Sequence, residues 1–385
     1  MSPALIPWAL SGAAAVAVGF ARFGYALILP AMQTDLSLNY AQAGWLNTSN
    51  ALGYLVGSLL TVGLVGRLGN RRLFIAGLVL TTLTVLACGA TRDFQLLALF
   101  RFASGLGAAG TFICGSVLAG VIGTRAILIF FSGGGIGMFA TGATLPWLFE
   151  YAHADSWPVA WLAMGGLCIP LSIASMMATK TIAEPSSRAS HSAAWPWRQC
   201  QAELCAYFLF GLGYIAYMTF IVAWLKQHPG ASAGLAMTTS IMWSLLGAAT
   251  LVAPILWRRV FDDSHNGTPM ACAMFVLAIG ASLPLLVSSL AGIWLSAILV
   301  GSSVFMVPSA VGSFIKGNLP KTAWGHAMAV ATTLFAAGQA IGPVAAGWIS
   351  DRSGALSTGL SISASVLLVG ALLALVQKPL PRSEH

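Results

Sequence analysis

The chain has 385 residues, of which 58% are hydrophobic and only 7% charged, and it carries a net charge of +8 at neutral pH. Soluble domains hold about 25% charged residues, so this composition excludes a soluble globular protein and points to one built inside a lipid bilayer. The apolar stretches run to about 20 residues, enough to cross a core of about 30 Å as helices, and they lack the alternation of barrel strands.

The pattern predicts spans at 5–30, 40–65, 72–90, 95–121, 126–150 and 156–178, then 201–226, 233–257, 269–288, 291–315, 324–350 and 354–377. The first apolar run has no Lys or Arg ahead of it, is too long for a signal peptide and is interrupted by Arg22, so it is expected to stay on the chain. Cations near span ends mark the cytoplasmic side. With both termini inside, thirteen loop cations, from Arg67, Arg71 and Arg72 to Lys378 and Arg382, fall on the cytoplasmic side, against Arg92, Lys226 and Arg352 outside. This predicts a multi-pass protein of the cytoplasmic (inner) membrane with both termini cytoplasmic. The basic residues are topology signals spread over loops, so no nucleic acid partner is expected.

The polar stretch "KTIAEPSSRASHSAAWPWRQ" at 180–199 divides the chain into a bundle at 1–178, a cytoplasmic linker at 179–200 and a second bundle at 201–385. The halves read as diverged copies. "GFARFGY" at 19–25 lies on "GLGYIAY" at 211–217, placing Arg22 on Tyr214, and the next basic loop follows 45 residues later at Arg67 and 44 later at Arg258.

Three motifs carry a family resemblance. "GLVGRLGNRR" at 63–72 resembles the GxLxDRxGRR loop signature of the major facilitator superfamily, keeping Gly63, Arg67, Gly69, Arg71 and Arg72, with Gly66 at the Asp position and Asn70 at an Arg position. "RFASGLGAAG" at 101–110 resembles RxxxGxGAA through Arg101, Gly105 and Gly107, and "GQAIGPVAAGWISDRSG" at 338–354 has a close-packed GxxxGPxxxG style through Gly338, Gly342 and Pro343. With twelve spans, the whole chain resembles that superfamily, and "ARFGYALILPAM…YAQAGWLNTSNALGYLVG" is more narrowly similar to its YbfB/YjiJ-type members. The resemblance implies an all-α polytopic fold of twelve transmembrane helices in two six-helix bundles related by pseudo-two-fold symmetry. It also implies transport by alternating access and a gating role for the loop motif. The Asp that Gly66 replaces helps latch the cytoplasmic ends of the bundles in that family.

The chemistry lies in polar residues within the spans. Arg22 precedes Pro30 by eight residues, about 12 Å from the outer end of its predicted helix, and Arg101 lies at a similar depth in the fourth span. The resemblance turns both spans toward a central cavity. An arginine at a helix centre costs about 2.5–3.5 kcal/mol on insertion scales, and every Asp and Glu maps to a loop or span end. An anionic substrate is the expected partner for the guanidinium donors; the alternative is helix carbonyls or an end-of-span acid such as Glu150. Asn47, Asn50, Tyr54, Ser58 and Thr61 form a polar stripe on the second span that faces a cavity or another helix. Tyr207, Gly211, Tyr214 and Met218 share a face of the seventh, with Tyr217 at its edge, suited to an organic ligand or to packing. Tyr25, Trp243 and Gln339 complete the candidate binding set.

The six histidines map to loops, tails or span ends, so no imidazole is expected to titrate at mid-membrane, and anion exchange, uniport or substrate-borne proton entry stay open. The spans offer no paired acids, no Ser/His or Cys/His set and no ligand cluster at one depth, so no enzyme activity, cofactor or metal is expected. The expected function is secondary active transport of a small organic anion; efflux of neutral or amphiphilic drugs or metabolites, of sugar or multidrug type, is the alternative. Expected partners are that substrate and the bilayer, with the chain acting as a monomer.

Overall fold

Three of the helix starts follow from side-chain caps. Asn39 and Gln42 form a reciprocal capping box, each side chain accepting the other's backbone N–H at 2.8 and 3.0 Å, ahead of the helix at Tyr40–Leu68. Asp93 caps the helix at Phe94–Ile122 through Leu96 N at 2.8 Å, and Ser289 caps the one at Leu290 through Gly292 N at 3.2 Å. A computed structural model of the chain describes residues 2–151, 154–184, 195–227, 234–262, 266–287 and 289–380. Outside these lie residues 185–194 of the expected linker, His153, His191, His228, His265 and His385, and the loop charges Arg188, Asp263, Arg382 and Glu384.

Twelve helices among the described residues are long and apolar enough to span a membrane: α1 Pro3–Leu36, α2 Tyr40–Leu68, α3 Asn70–Cys88, α4 Phe94–Ile122, α5 Arg125–Tyr151, α6 Trp157–Thr179, α7 Trp197–Gln227, α8 Leu235–Leu256, α9 Thr268–Leu286, α10 Leu290–Asn318, α11 Trp324–Ser353 and α12 Leu356–Leu375. The twelve predicted spans match them one for one. The first was expected to end at Pro30, but α1 continues through that proline to Leu36. Helix neighbours inside a membrane protein can offset the single backbone bond that a proline removes. Ala15–Phe23 of α1 is wound as a π-helix, and Arg22 lies in it. α10 breaks at Phe305, between Leu290–Val304 and Met306–Asn318.

The helix contacts repeat with a shift of six. α2 packs on α4, α3 on α4 and α6, and α1 on α5 and α6; correspondingly α8 packs on α10, α9 on α10 and α12, and α7 on α11 and α12. Two seams between the bundles, α2–α11 and α5–α8, exchange under the same shift, and a third, α1–α7, maps onto itself. This is the pseudo-two-fold relation of the two bundles. Small residues permit the closest seams: a Cβ on Gly53 would stand 1.9 Å from the Phe102 carbonyl oxygen, and one on Gly105 2.0 Å from that of Asn50, so α2 and α4 touch backbone to backbone.

The bundles are clamped unevenly. On the face away from the chain ends, Asp351 at the end of α11 accepts the backbone N–H groups of Tyr40 and Ala41 in the first turn of α2, at 2.9 and 2.8 Å. Lys226 donates to Thr34 Oγ1 at 3.0 Å, Gln227 donates to the Tyr40 hydroxyl, and α2 and α11 meet so tightly that a Cβ on Gly44 would reach the Pro343 carbonyl oxygen at 2.3 Å. Nearer the middle, Thr48 donates to the Ala340 carbonyl at 2.6 Å and Asn47 to Thr219 Oγ1 at 2.5 Å. Toward the face that carries the chain ends, the terminal face, Gly63 and Arg67 of α2 and Gly325, Ala329 and Thr333 of α11 are exposed. The bundles are held together at the far face and part toward the terminal face.

Candidate functional site

Arg22 projects from the π-helical part of α1 at the depth where the clamp ends. Its Nη2 donates to Gln339 Oε1 of α11, and Gln339 Nε2 donates in turn to the hydroxyl of Tyr214 on α7. The chain Arg22–Gln339–Tyr214 thus joins the bundles. The guanidinium carbon lies 5.4 Å from the centre of the Tyr54 ring on α2, within cation–π range. Arg22 is half-buried, its Nε is shielded without an acceptor, and no carboxylate forms an ion pair with it among the described residues.

Behind Tyr214 stands an aromatic wall. Phe210 stacks on Tyr214 at 4.5 Å, Tyr207 on Phe335 at 4.8 Å and Phe210 on Phe335 at 5.4 Å, with interplanar angles of 11°, 8° and 9°. Residues 207, 210 and 214 recur at three and four, so α7 presents them on one face, and Phe335 enters from α11. Phe23 of α1 meets Phe305, the break in α10, edge to face at 6.3 Å. Tyr207, Phe210 and Tyr214 are buried in this stack, Phe335 is half-buried, and the stack reaches Arg22 through the Tyr214 hydroxyl and Gln339.

The remaining predicted site residues are placed differently. Arg101 shares the depth of Arg22, since its Nη1 donates to the Ala21 carbonyl one residue away, but it is 1% exposed. Its Nε and Nη2 donate to the Leu46 carbonyl at 3.3 Å and Asn47 Oδ1 at 3.2 Å, and its guanidinium sits 4.7 and 5.6 Å from the Tyr25 and Trp161 ring centres. Each of its nitrogens has a protein acceptor, so the carbonyl alternative describes Arg101. Tyr25 is likewise enclosed in the first bundle, donating to the Ala43 carbonyl at 2.8 Å and stacking on Trp161. Asn50 donates to the Arg101 carbonyl at 3.1 Å, while Asn47 bridges Arg101 and Thr219. Ser58 and Thr61 donate back to their own helix. Ser296 donates to the Gly280 carbonyl, so the Tyr217 hydroxyl donates to Ser296, at 2.8 Å, within the second bundle. Trp243 is fully buried at the α5–α8 seam beside Gly142. Of the predicted set, Arg22, Tyr54, Tyr214 and Gln339 are brought together; Tyr25, Asn47, Asn50, Arg101, Tyr217 and Trp243 are held in packing or polar contacts around them. Phe210 and Phe335 join the site without having been singled out, because one more phenylalanine in an apolar helix carries no distinguishing signal.

The loop motif is built differently from the signature it resembles. Gly66 is exposed, and the acid at the start of α3 comes instead from Glu184, beyond α6, whose Oε1 accepts the Asn70 N–H at 2.5 Å. Gly69 makes the turn at φ +81°, Arg71 donates to the Ile182 carbonyl, and Gly63, Arg67 and Arg72 are exposed. Gly107, Gly338 and Gly342 lie against the backbones of Gly77, Phe208 and Leu212, and the Pro343 carbonyl meets Gly44.

A family model described as "Uncharacterised MFS-type transporter YbfB" matches residues 14–375. Among curated relatives, the uncharacterized MFS-type transporter YceJ of Bacillus subtilis is 25% identical over 260 residues, 64% of this chain and 64% of its own length. The niacin transporter NiaP of Acinetobacter baylyi is 30% identical over 148 residues, 37% of this chain and 33% of its own. Among solved structures, the nucleoside transporter NupG superposes with a TM-score of 0.73 at 14% identity, covering 97% of this chain and 98% of that one.

Proposed function

Because the chain belongs to the family of YbfB-type major facilitator transporters, we propose that it carries a small organic anion across the cytoplasmic membrane by alternating access, with Arg22 holding the charge. The observation that carries the reading is the Arg22 guanidinium, half-buried between the bundles with, among the described residues, no acceptor for Nε and no carboxylate paired to it. A carboxylate offers two oxygens to such a fork, and a charge-assisted pair in a shielded site exceeds a neutral hydrogen bond about twofold. The stacked rings of Tyr207, Phe210, Tyr214 and Phe335 favour a flat, aromatic body behind that charge. The partial likeness to a niacin transporter agrees with a small aromatic carboxylate. Arg101, with a protein acceptor on each of its three nitrogens, acts as a structural cation that fixes α1 against α2 and α4.

Cations at Arg67, Arg71, Arg72, Arg198, Arg259 and Lys378 border the terminal face, against Arg92, Lys226 and Arg352 opposite, which supports a cytoplasmic terminal face and an inward-open resting state. The two six-helix bundles would rock about Arg22 and Gln339, and the chain would act as a monomer.

Counterflow in liposomes tests the reading with nicotinate and its neutral amide. The carboxylate is expected to exchange and the amide not, and Arg22→Gln is expected to abolish exchange. Equal transport of both compounds, or unchanged nicotinate exchange in Arg22→Gln, would overturn the anion assignment and favour a carrier of neutral aromatic compounds.

A further inference from the structure

We propose that Glu203, in the first turns of α7, is a proton-binding site loaded from the terminal face. The sequence places it at a span end; it is 2% exposed, and among the described residues neither shielded carboxylate oxygen has a hydrogen-bond partner. The polar groups around it are already engaged. Gln377, at the end of α12, accepts the Glu203 backbone N–H at 3.2 Å and uses its own amide on the Gln199 and Lys378 carbonyls, each at 2.9 Å. Cys200, one turn earlier, is a buried free thiol. Arg198 and Lys378 are the nearby cations among the described residues, and neither pairs with the carboxylate.

A lone ionised carboxylate in such a position is far too costly to persist, whereas the neutral acid forgoes only a hydrogen bond. Glu203 therefore holds a proton in this arrangement. Its route to water is short. A recess of about 390 Å³ at the terminal face is lined by Arg198, Gln199, Gln201, Gln377 and Lys378, with Gln377 shared between the recess and the Glu203 backbone. On losing its proton the carboxylate gains by turning into that recess, where two cations await it. The Gln377 clip on the Glu203 backbone ties α7 to α12 at the edge of that recess, so the carboxylate turns beside the joint between the two helices. Since α7 also carries Tyr207, Phe210 and Tyr214, proton occupancy at its base adjusts the helix that bears the aromatic wall. The site stands independently of the Arg22 reading.

Infrared difference spectroscopy of the purified full chain, stepped through pH, tests it. The wild type is expected to show the C=O stretch of a protonated carboxylic acid at neutral pH, fading as pH rises, and Glu203→Gln is expected to lose that band while keeping the fold. A wild-type spectrum without the band, or one left unchanged by Glu203→Gln, would overturn the proposal. The double variant Arg198→Gln/Lys378→Gln leaves the buried acid intact but empties the recess of charge, so the band should persist to higher pH. An unshifted profile would overturn the recess as the exit of the carboxylate.

Discussion

Replacing Asp351 by Asn should loosen the far-face clamp without unfolding either bundle. The carboxylate takes two backbone N–H groups from the first turn of α2, at 2.9 and 2.8 Å, and complements the positive end of that helix. A hydrogen bond to a charged partner contributes about 1.5–3 kcal/mol when shielded, and exposure at this surface reduces each of the two to about 1 kcal/mol. Asn keeps one acceptor oxygen and loses the charge, so the clamp should weaken by about 1–2 kcal/mol, a fivefold to thirtyfold shift toward a far-face-open state. Double electron–electron resonance reads this shift between labels at Ala90→Cys and Leu286→Cys, exposed far-face positions on opposite bundles, with Cys205 and Cys272 replaced by Ser. The Asn variant should gain a population at longer distance. Distance distributions identical to the parent would refute the argument that Asp351 holds the bundles together.

Other substitutions separate structural from functional roles. Arg101→Lys should lower the thermal midpoint in detergent as strongly as Arg101→Gln, because one ammonium cannot serve Leu46, Ala21 and Asn47 together, and each buried acceptor left bare costs about 1–3 kcal/mol. Gly105→Ala forces a methyl to within 2.0 Å of the Asn50 carbonyl oxygen and should destabilise by about 1–3 kcal/mol, whereas Gly63→Ala meets nothing within 4 Å and should leave the unfolding curve unchanged. Tyr214→Phe removes the hydroxyl that Gln339 binds but preserves the ring stack, so counterflow should continue with a raised half-saturation concentration, while Tyr214→Ala should lose exchange altogether. Retained exchange in the Ala variant would argue against the aromatic wall as a binding surface.

The twelve spans and the six-helix repeat were legible because length and hydropathy suffice to set them. The common depth of Arg22 and Arg101 was legible too, from residue counts alone. Which of the two arginines faces the gap was not, since that depends on rotation about each helix axis. The π-helical winding of Ala15–Phe23 departs from the 3.6-residue period on which face assignments rest, and Tyr25, three residues beyond Arg22, ends inside the bundle. Asp351 and Glu184 show a second limit: each carboxylate caps a helix distant in sequence, and no local spacing records a contact across 311 or 114 residues. Glu203 shows a third, because a charge a few residues from a span end reads as interfacial until the packing of α12 over it is known.

The tie between Arg22 and Gln339 makes occupancy of the proposed site a substitution rather than an addition. A carboxylate binding the guanidinium as proposed would compete with the Gln339 oxygen, so one acceptor would leave as another enters and the link between α1 and α11 would slacken as cargo is gripped. Contacts of similar kind would be made and broken, which would keep the well shallow and release quick. Such a balance would suit repeated turnover more than storage, and it would give the cargo itself the role of untying the two halves.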